Sequence, residues 1–381
     1  MAKAGEVYVE KCADAGCAPR SEIARILESW DSKTALRIEL PGNSLELFEQ
    51  RLGDLDVIAL VQTILHACTD QLESLNLSFH TLTDKAAVAV ALLFEDAGEY
   101  KCGLRALNLR GNDIGQAGCR SLCTAIKRNT TLRELSLNGN PVGNEGGMFV
   151  ASMLAQNAAL EALDLGNTEQ GTESVIALAA VLKQNSTLRD LDLENPRLFS
   201  LGEESTYQLA KMLAVNRSLV RVRLGKHKVR DDGARMLAQH LSSNDVLEVL
   251  DLRCNEVGIS GAESFAALLM RGTSSLHSLD LASNKVHDDG ALAIGTALRR
   301  CRTLTSLDLR RNGIGDDGLF AIARGMEDNE SVQSLRLWGN NFGQTSGNAF
   351  HALQDRRFQY LDVSCDFVTS VVDGTVHVAE N

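Results

Sequence analysis

The residues best suited to chemistry are three pairs of aspartates, each followed by glycine: Asp231-Asp232-Gly233, Asp288-Asp289-Gly290 and Asp316-Asp317-Gly318. Two adjacent carboxylates before a glycine suit an oxygen-ligated cation such as calcium. They equally suit the start of a helix, where a carboxylate accepts from free amides and meets the positive end of the dipole. Each pair opens a stretch of helical periodicity, so the spacing favours capping. Cys119 and Cys123 lie one helical turn apart, and Cys12 and Cys17 lie near the start. Neither pair has the His or Cys companions that zinc requires, and both read as core residues. His80 and His227 stand where other segments carry Asn112, Asn140, Asn255, Asn284, Asn312 and Asn340. An imidazole there can bond turn backbone as an amide does, which is a structural role. No Gly-Lys-Ser/Thr phosphate loop, Gly-x-Ser-x-Gly elbow, His-Glu-x-x-His pair or Cys-x-x-Cys occurs. The chain is expected to be no enzyme, with no catalytic residue, cofactor or metal.

What positions these residues is a repeat. The phrase Leu-x-x-Leu-x-Leu-x-x-Asn, as at Leu132, Leu135, Leu137 and Asn140, returns about every 28 residues. It runs from Leu72-Leu75-Leu77 to Val332-Leu335-Leu337, with a degenerate opening copy at Leu36-Ile38-Leu40 and a closing one at Phe358-Leu361-Val363. The Leu-x-Leu alternation has the period of a short strand, and the stretch after it, such as Cys119-Leu122-Ile126, has the period of a helix. Parallel strands need a crossover, which the helix supplies. The predicted fold is therefore α/β: a horseshoe solenoid over residues 35–363, with a concave parallel sheet and convex helices. Asn129, Asn157, Asn185, Asn216, Asn244 and Asn329 recur three residues before the next unit and predict left-handed helix ends, with Cys301 and Thr273 in that place in two units. Ile23, Ile26, Leu27 and Trp30 predict a helical cap within residues 1–34. Val371 to Val378, around Asp373-Gly374, predict a hairpin within residues 364–381 that either caps the last repeat or adds a strand to another protein.

The middle position of each Leu-x-Leu points away from the core, into the groove. It reads Asn76, Asn108, Ser136, Asp164, Asp192, Arg223, Asp251, Asp280, Asp308, Arg336 and Asp362. With rungs about 4.8 Å apart, Arg223 should sit between Asp192 and Asp251, and Arg336 between Asp308 and Asp362. Asp164 and Asp280 then remain to meet a basic segment of a partner. Further along, Asp308, Arg310, Arg336, Trp338 and Tyr360 compose a second candidate contact region, since Trp, Tyr and Arg are enriched at interfaces. Trp338 could instead fold over the sheet edge. The longer unit at Glu194–Ser205 is a candidate functional loop.

Composition agrees with a binding role. Hydrophobic residues make up 44% but aromatic ones only 4%, which suits stacked aliphatic cores more than a ligand-lined pocket. A net charge of −12 disfavours a nucleic-acid partner and favours a basic protein. The longest apolar runs fall short of the ~20 residues of a membrane span, and the opening residues lack a signal-peptide core, so an intracellular, soluble protein is expected. Nine cysteines, an odd number without regular spacing, suit a reducing compartment. Neither a membrane nor a small-molecule substrate is expected.

The strand–helix unit, with its Ile-Gly-x-x-Gly at Ile114-Gly115 to Gly118, resembles the ribonuclease-inhibitor class of leucine-rich repeats, which includes ribonuclease inhibitors and Ran GTPase-activating proteins. The irregular segments Gly143 to Leu154, Asn195-Pro196-Arg197, Glu203-Glu204-Ser205, Trp338-Gly339-Asn340 and Val371-Val372-Asp373-Gly374 resemble the leucine-rich repeat-containing protein 34 family. That resemblance implies a non-catalytic scaffold. It implies placement in the ciliary or flagellar axoneme among radial-spoke or nexin-link subunits, or in the nucleolus with a role in ribosome biogenesis. The broader class implies regulation of a GTPase or ribonuclease.

Overall fold

Leucines two apart, with both side chains driven into the core, leave the residue between them outside. That pattern recurs as a ladder of short parallel strands, two to five residues long, in the computed structural model, which describes residues 3–31, 33–45, 50–95, 102–198, 203–272, 275–354 and 361–381. The chain forms two compact units, Met1–Asp192 and Leu193–Asn381. The first begins with two helices, α1 (Ala4–Ala15) and α2 (Ser21–Ser29). It continues as β1 (Leu36–Glu39), α3 (Asp54–Ala67), β2 (Leu72–Asn76), α4 (Asp84–Ala91), β3 (Ala106–Asn108), α5 (Gln116–Ile126), β4 (Glu134–Ser136), α6 (Gly143–Leu154), β5 (Ala162–Asp164), α7 (Thr172–Leu182) and β6 (Asp190–Asp192). The second unit contains α8 (Glu203–Val215), β7 (Arg221–Arg223), α9 (Asp231–Leu241), β8 (Val249–Asp251), α10 (Ile259–Arg271), β9 (Ser278–Asp280), α11 (His287–Leu298), β10 (Ser306–Asp308), α12 (Asp316–Met326), β11 (Ser334–Arg336) and α13 (Gln344–Leu353). It ends with β12 (Ser364–Cys365), β13 (Phe367–Val372) and β14 (Thr375–Glu380).

Within each unit the strands pair in chain order, each displaced by one repeat, as in Leu135↔Leu163 and Leu279↔Leu307. The strand leucines and the inward helix faces are fully buried. This is the repeating strand–helix solenoid that the spacing predicts. Helix α1, which the repeat does not announce, buries Val7, Tyr8 and Cys12. After it, Arg20 binds Asp56 of α3 in a two-pronged ion pair at 2.8 and 3.0 Å. Ile23 and Leu27 are buried on α2, with Ile26 and Trp30 half-buried.

Three expectations change. The last rung of the sheet is Ser364–Cys365, in register with Ser334–Leu335, and not Leu361 to Val363. Asp362 has φ 51° and lies outside the strands; Phe358 and Tyr360 lie outside the described residues. The asparagines before each unit do not turn left-handed. Amides such as those of Asn157, Asn185, Asn244 and Asn329 bridge repeats instead: Asn157 donates to Ile126 O and Asn129 O, and accepts from the Ala159 and Leu160 amides. Satisfying four backbone groups outweighs ending one helix. Thr273 lies outside the described residues.

The aspartates do cap helices, but those of the following repeat. Asp231 Oδ1 accepts from Gly258 N and Gly261 N at 2.7 and 2.9 Å, at the start of α10. Asp288 does the same for α12, and Asp316 for α13 through Thr345 N and Ser346 N. Burial alone would raise the Asp316 carboxyl, but the hydrogen bonds from Ser346 and Thr345 hold it down at about 2. Gly318 is needed for this arrangement, since a Cβ there would lie 2.6 Å from Asp288 Oδ1.

Candidate functional site

The outward row of the sheet is built by a local device. Asp251, Asp280 and Asp308 each turn one oxygen back onto the amide two residues later, from Arg253, Ala282 and Arg310, at 2.8–3.0 Å. Asp164, Asn108 and Asn76 do likewise with Gly166, Arg110 and Ser78. These are Asx turns, which explain why Asp and Asn dominate this position. The signal was present in the sequence as residue type and is structural in origin.

What distinguishes the aspartates is the use of the second oxygen. In the second unit Asp251, Asp280 and Asp308 stand side by side in register. Arg310 clamps Asp308 through Nε and Nη2, at 2.9 and 2.6 Å to Oδ2. Arg253 Nε lies 3.4 Å from Asp251 Oδ2, and its Nη2 bonds Glu194 at 2.6 Å. The corresponding residue beside Asp280 is Ala282, so among the described residues no cation reaches Asp280 Oδ2. Burial, with Asp308 and Asp251 on either side, pushes the Asp280 carboxyl up to about 6. In the first unit Asp164 is fully engaged: Gly166 N and Asn138 Nδ2 donate to Oδ1, and Ser136 Oγ donates to Oδ2.

The remaining candidates cluster near the end of the second unit. Arg336 is in register with Asp308 but stays exposed, because Arg310 already holds that carboxylate. Asp366, and not Asp362, takes the far side, accepting from Leu337 N at 2.8 Å and Trp338 N at 3.1 Å. Trp338 is half-buried. Arg223 is in register with Asp251. In the longer unit at Glu194–Ser205, of which residues 199–202 lie outside the described residues, Glu194 binds Lys226 and Arg253, and Lys228 Nζ donates to Leu198 O.

His80 and His227 hold the repeat together as the asparagines do. Their Nε2 atoms lie 2.6 and 2.7 Å from Leu40 O and Leu193 O, the place that Asn112 Nδ2 occupies on Leu77 O. His80 Nδ1 accepts from Leu52 N, whereas His227 Nδ1 is buried without a partner among the described residues. Burial drives the His227 ring down to about 4, which keeps it neutral near pH 7. Cys12, Cys119 and Cys123 are buried and Cys17 half-buried. No described group of three or more His, Cys, Asp or Glu could hold a metal ion, and no described helix is long and apolar enough to cross a membrane.

A raised folded-state pKa on a carboxylate costs stability once the group ionises. Between about pH 4, its ordinary range, and about pH 6, the Asp280 proton is held by the folded chain and not by the unfolded one. Stability from this residue therefore falls as pH rises through that window. Asp280→Asn keeps the bond to the Ala282 amide and is expected to add on the order of 2 kcal/mol near neutral pH and almost nothing near pH 4. Urea unfolding at both pH values checks this; equal gains at both would contradict it.

A family model described as Leucine Rich repeat matches residues 72–91, 101–123, 128–151, 215–238, 240–266, 274–295 and 300–323. The chain is a leucine-rich repeat protein. Its repeats are of the ribonuclease-inhibitor-like kind. This leucine-rich repeat chain is 37% identical to human leucine-rich repeat-containing protein 34 over 62 residues, 16% of the chain and 13% of that protein. It is 38% identical to the ribonuclease inhibitor of Sus scrofa over 96 residues, 25% of the chain and 21% of the inhibitor. The matched stretches thus span only 13% and 21% of these relatives' own lengths. Among solved structures, an internalin from Listeria monocytogenes aligns over 97% of the chain and 98% of its own, at 15% identity and a TM-score of 0.46.

Proposed function

We propose that this leucine-rich repeat protein is a non-catalytic protein–protein interaction scaffold that receives a basic segment of a partner on the sheet face of its second unit. The observation that carries this reading is Asp280: among the described residues its Oδ2 has no cation, while the carboxylates on both sides have one. An arginine or lysine of the partner would fill the place that Ala282 leaves open and lower the carboxyl's pKa as it binds. Asp308, Arg310, Arg336 and Trp338 lie beside this position and would set the register of the partner. Asp164 offers a weaker contact, since its oxygens already have donors. Preformed repeats present this face with little ordering on binding.

Binding should be pH-dependent. Docking a cation requires an ionised Asp280, so affinity is expected to rise as pH increases through about 6. Asp280→Asn should remove that dependence. A partner whose affinity is flat with pH and unchanged in this variant would exclude Asp280 from the interface.

The finer reading is a structural subunit of the ciliary or flagellar axoneme, in the radial-spoke or nexin-link region. Its support is the resemblance of the irregular segments described above. Crosslinked neighbours of the tagged protein, recovered after detergent and salt extraction of axonemes, test it. Recovery only in soluble or nucleolar fractions would move the assignment elsewhere. The match to a ribonuclease inhibitor favours a second reading, regulation of an enzyme, for which turnover of a ribonuclease in the presence of the purified chain is the test.

A further inference from the structure

We propose that the outer edge of β14 is a docking edge where an extended, basic segment of another protein adds to the C-terminal hairpin as a third strand. Asp373 and Gly374, at φ 50° and 77°, form a two-residue turn between the paired residues Val372 and Thr375. Such a turn makes that pair a hydrogen-bonded one, and alternation then fixes the rest. The N–H and C=O groups of Phe367, Thr369 and Val371 face outward on β13. Those of Val376, Val378 and Glu380 face outward on β14.

The two edges differ. On β13, Thr369 N donates to Gln354 Oε1 at 3.1 Å, and Gln354 Nε2 donates to Phe367 O at 3.2 Å. One side-chain amide thus imitates a neighbouring strand and closes that edge. On β14 the outward groups of Val376, Val378 and Glu380 have no partner among the described residues. The strand is held against α13, since a Cβ on Gly347 would lie 3.4 Å from Val378 and 3.6 Å from Val376. Thr375–Glu380 contains no proline, lysine, arginine or bulge, the usual devices that blunt an edge. The face turned from α13 exposes Val368 and Val372.

Charge selects the occupant. Residues 361–381 carry Asp362, Asp366, Asp373 and Glu380 and no lysine or arginine. A second copy would set acids against acids between chains of net charge −12. A strand alternating β-branched residues with lysine or arginine gains both the backbone ladder and the charge pairing.

Amide exchange on the full chain tests this with three synthetic peptides of about ten residues, a length that spans the edge: one alternating Lys with Val and Thr, one of the same charge broken by prolines, and one with Glu for Lys. Only the first is expected to slow exchange at Val376, Val378 and Glu380. Val378→Pro removes one outward N–H and spares the bonds inside the hairpin, so it should weaken this peptide about five- to tenfold. Because proline could disturb packing on Gly347, Asp373→Lys with Glu380→Lys provides an independent check: preference should switch to the Glu peptide. Protection absent from these three amides while the Lys peptide binds would overturn the proposal. So would protection that grows with chain concentration alone, which would assign the edge to a second copy.

Discussion

Asn140→Ala is expected to destabilise the first unit by about 2–3 kcal/mol, although the side chain it removes is small and polar. Asn140 is 1% exposed. Its Nδ2 donates to Leu109 O and Leu137 O, both at 2.8 Å, and its Oδ1 accepts from Ile114 N at 3.0 Å. Alanine leaves the buried Ile114 amide without a partner, at roughly 1–3 kcal/mol, and removes one of two donors from Leu109 O and from Leu137 O, which keep Asn112 Nδ2 and the residue-140 amide. Two of those groups belong to the preceding repeat, so the damage spreads beyond the residue's own turn. Asn140→His should recover part of the loss, because His80 and His227 span the corresponding gap with Nε2. Urea unfolding followed by circular dichroism distinguishes these outcomes; a loss under about 1 kcal/mol for the alanine variant would mean the amide is not the bridge described.

Phe367→Ala is expected to cost about 3–5 kcal/mol and to act at one end of the chain only. The ring is fully buried, with centroids 5.0 Å from Phe350 and 5.1 Å from Phe342. It is the buried aromatic contact between β13 and α13, beside the polar contact of His351 with Thr369 at 2.9 Å. Without it the hairpin loses its apolar anchor, and Asp366, whose carboxylate holds the Leu337 and Trp338 amides, is less firmly fixed beside β11. Limited proteolysis should then cut within residues 361–381 before any other segment, while β7 to β10 keep their amide protection. Uniform loss of protection across the second unit would mean that the aromatic cluster supports the whole unit and not just its end.

The strand and helix of each repeat were legible because leucine spacing reports burial directly, and Leu132, Leu135 and Leu137 have no other way to be satisfied. The roles of Asn140 and His227 were legible for a related reason, since a polar residue at an invariant place in a buried frame must bond backbone. What stayed hidden were contacts between repeats. Nothing near Asp231 shows that it caps α10, 27 residues away. The closing rung at Ser364–Cys365 lacks leucine, so the apolar pattern pointed instead to Leu361 and Val363. The candidate docking row was visible as a run of acids, but its ranking was not. Asp164 and Asp280 look alike in sequence, and only the donors around them separate a saturated carboxylate from an open one.

The helix caps described above, with the asparagine bridges, decide what a truncation would break. Asp231 serves α10, Asp288 serves α12 and Asp316 serves α13, while Asn255, Asn284 and Asn312 reach back to Leu224 O, Leu252 O and Leu281 O. The two kinds of link run in opposite directions: each capped helix lies one repeat after its aspartate, whereas each asparagine also accepts from a buried amide one repeat before it, that of Val229, Val257 or Val286. Trimming from the N-terminus therefore uncaps the helix of the repeat that becomes first, and trimming from the C-terminus strips a buried amide of its acceptor in the repeat that becomes last. A shortened chain needs a replacement at either cut: a helix cap at a new beginning, a backbone acceptor at a new end.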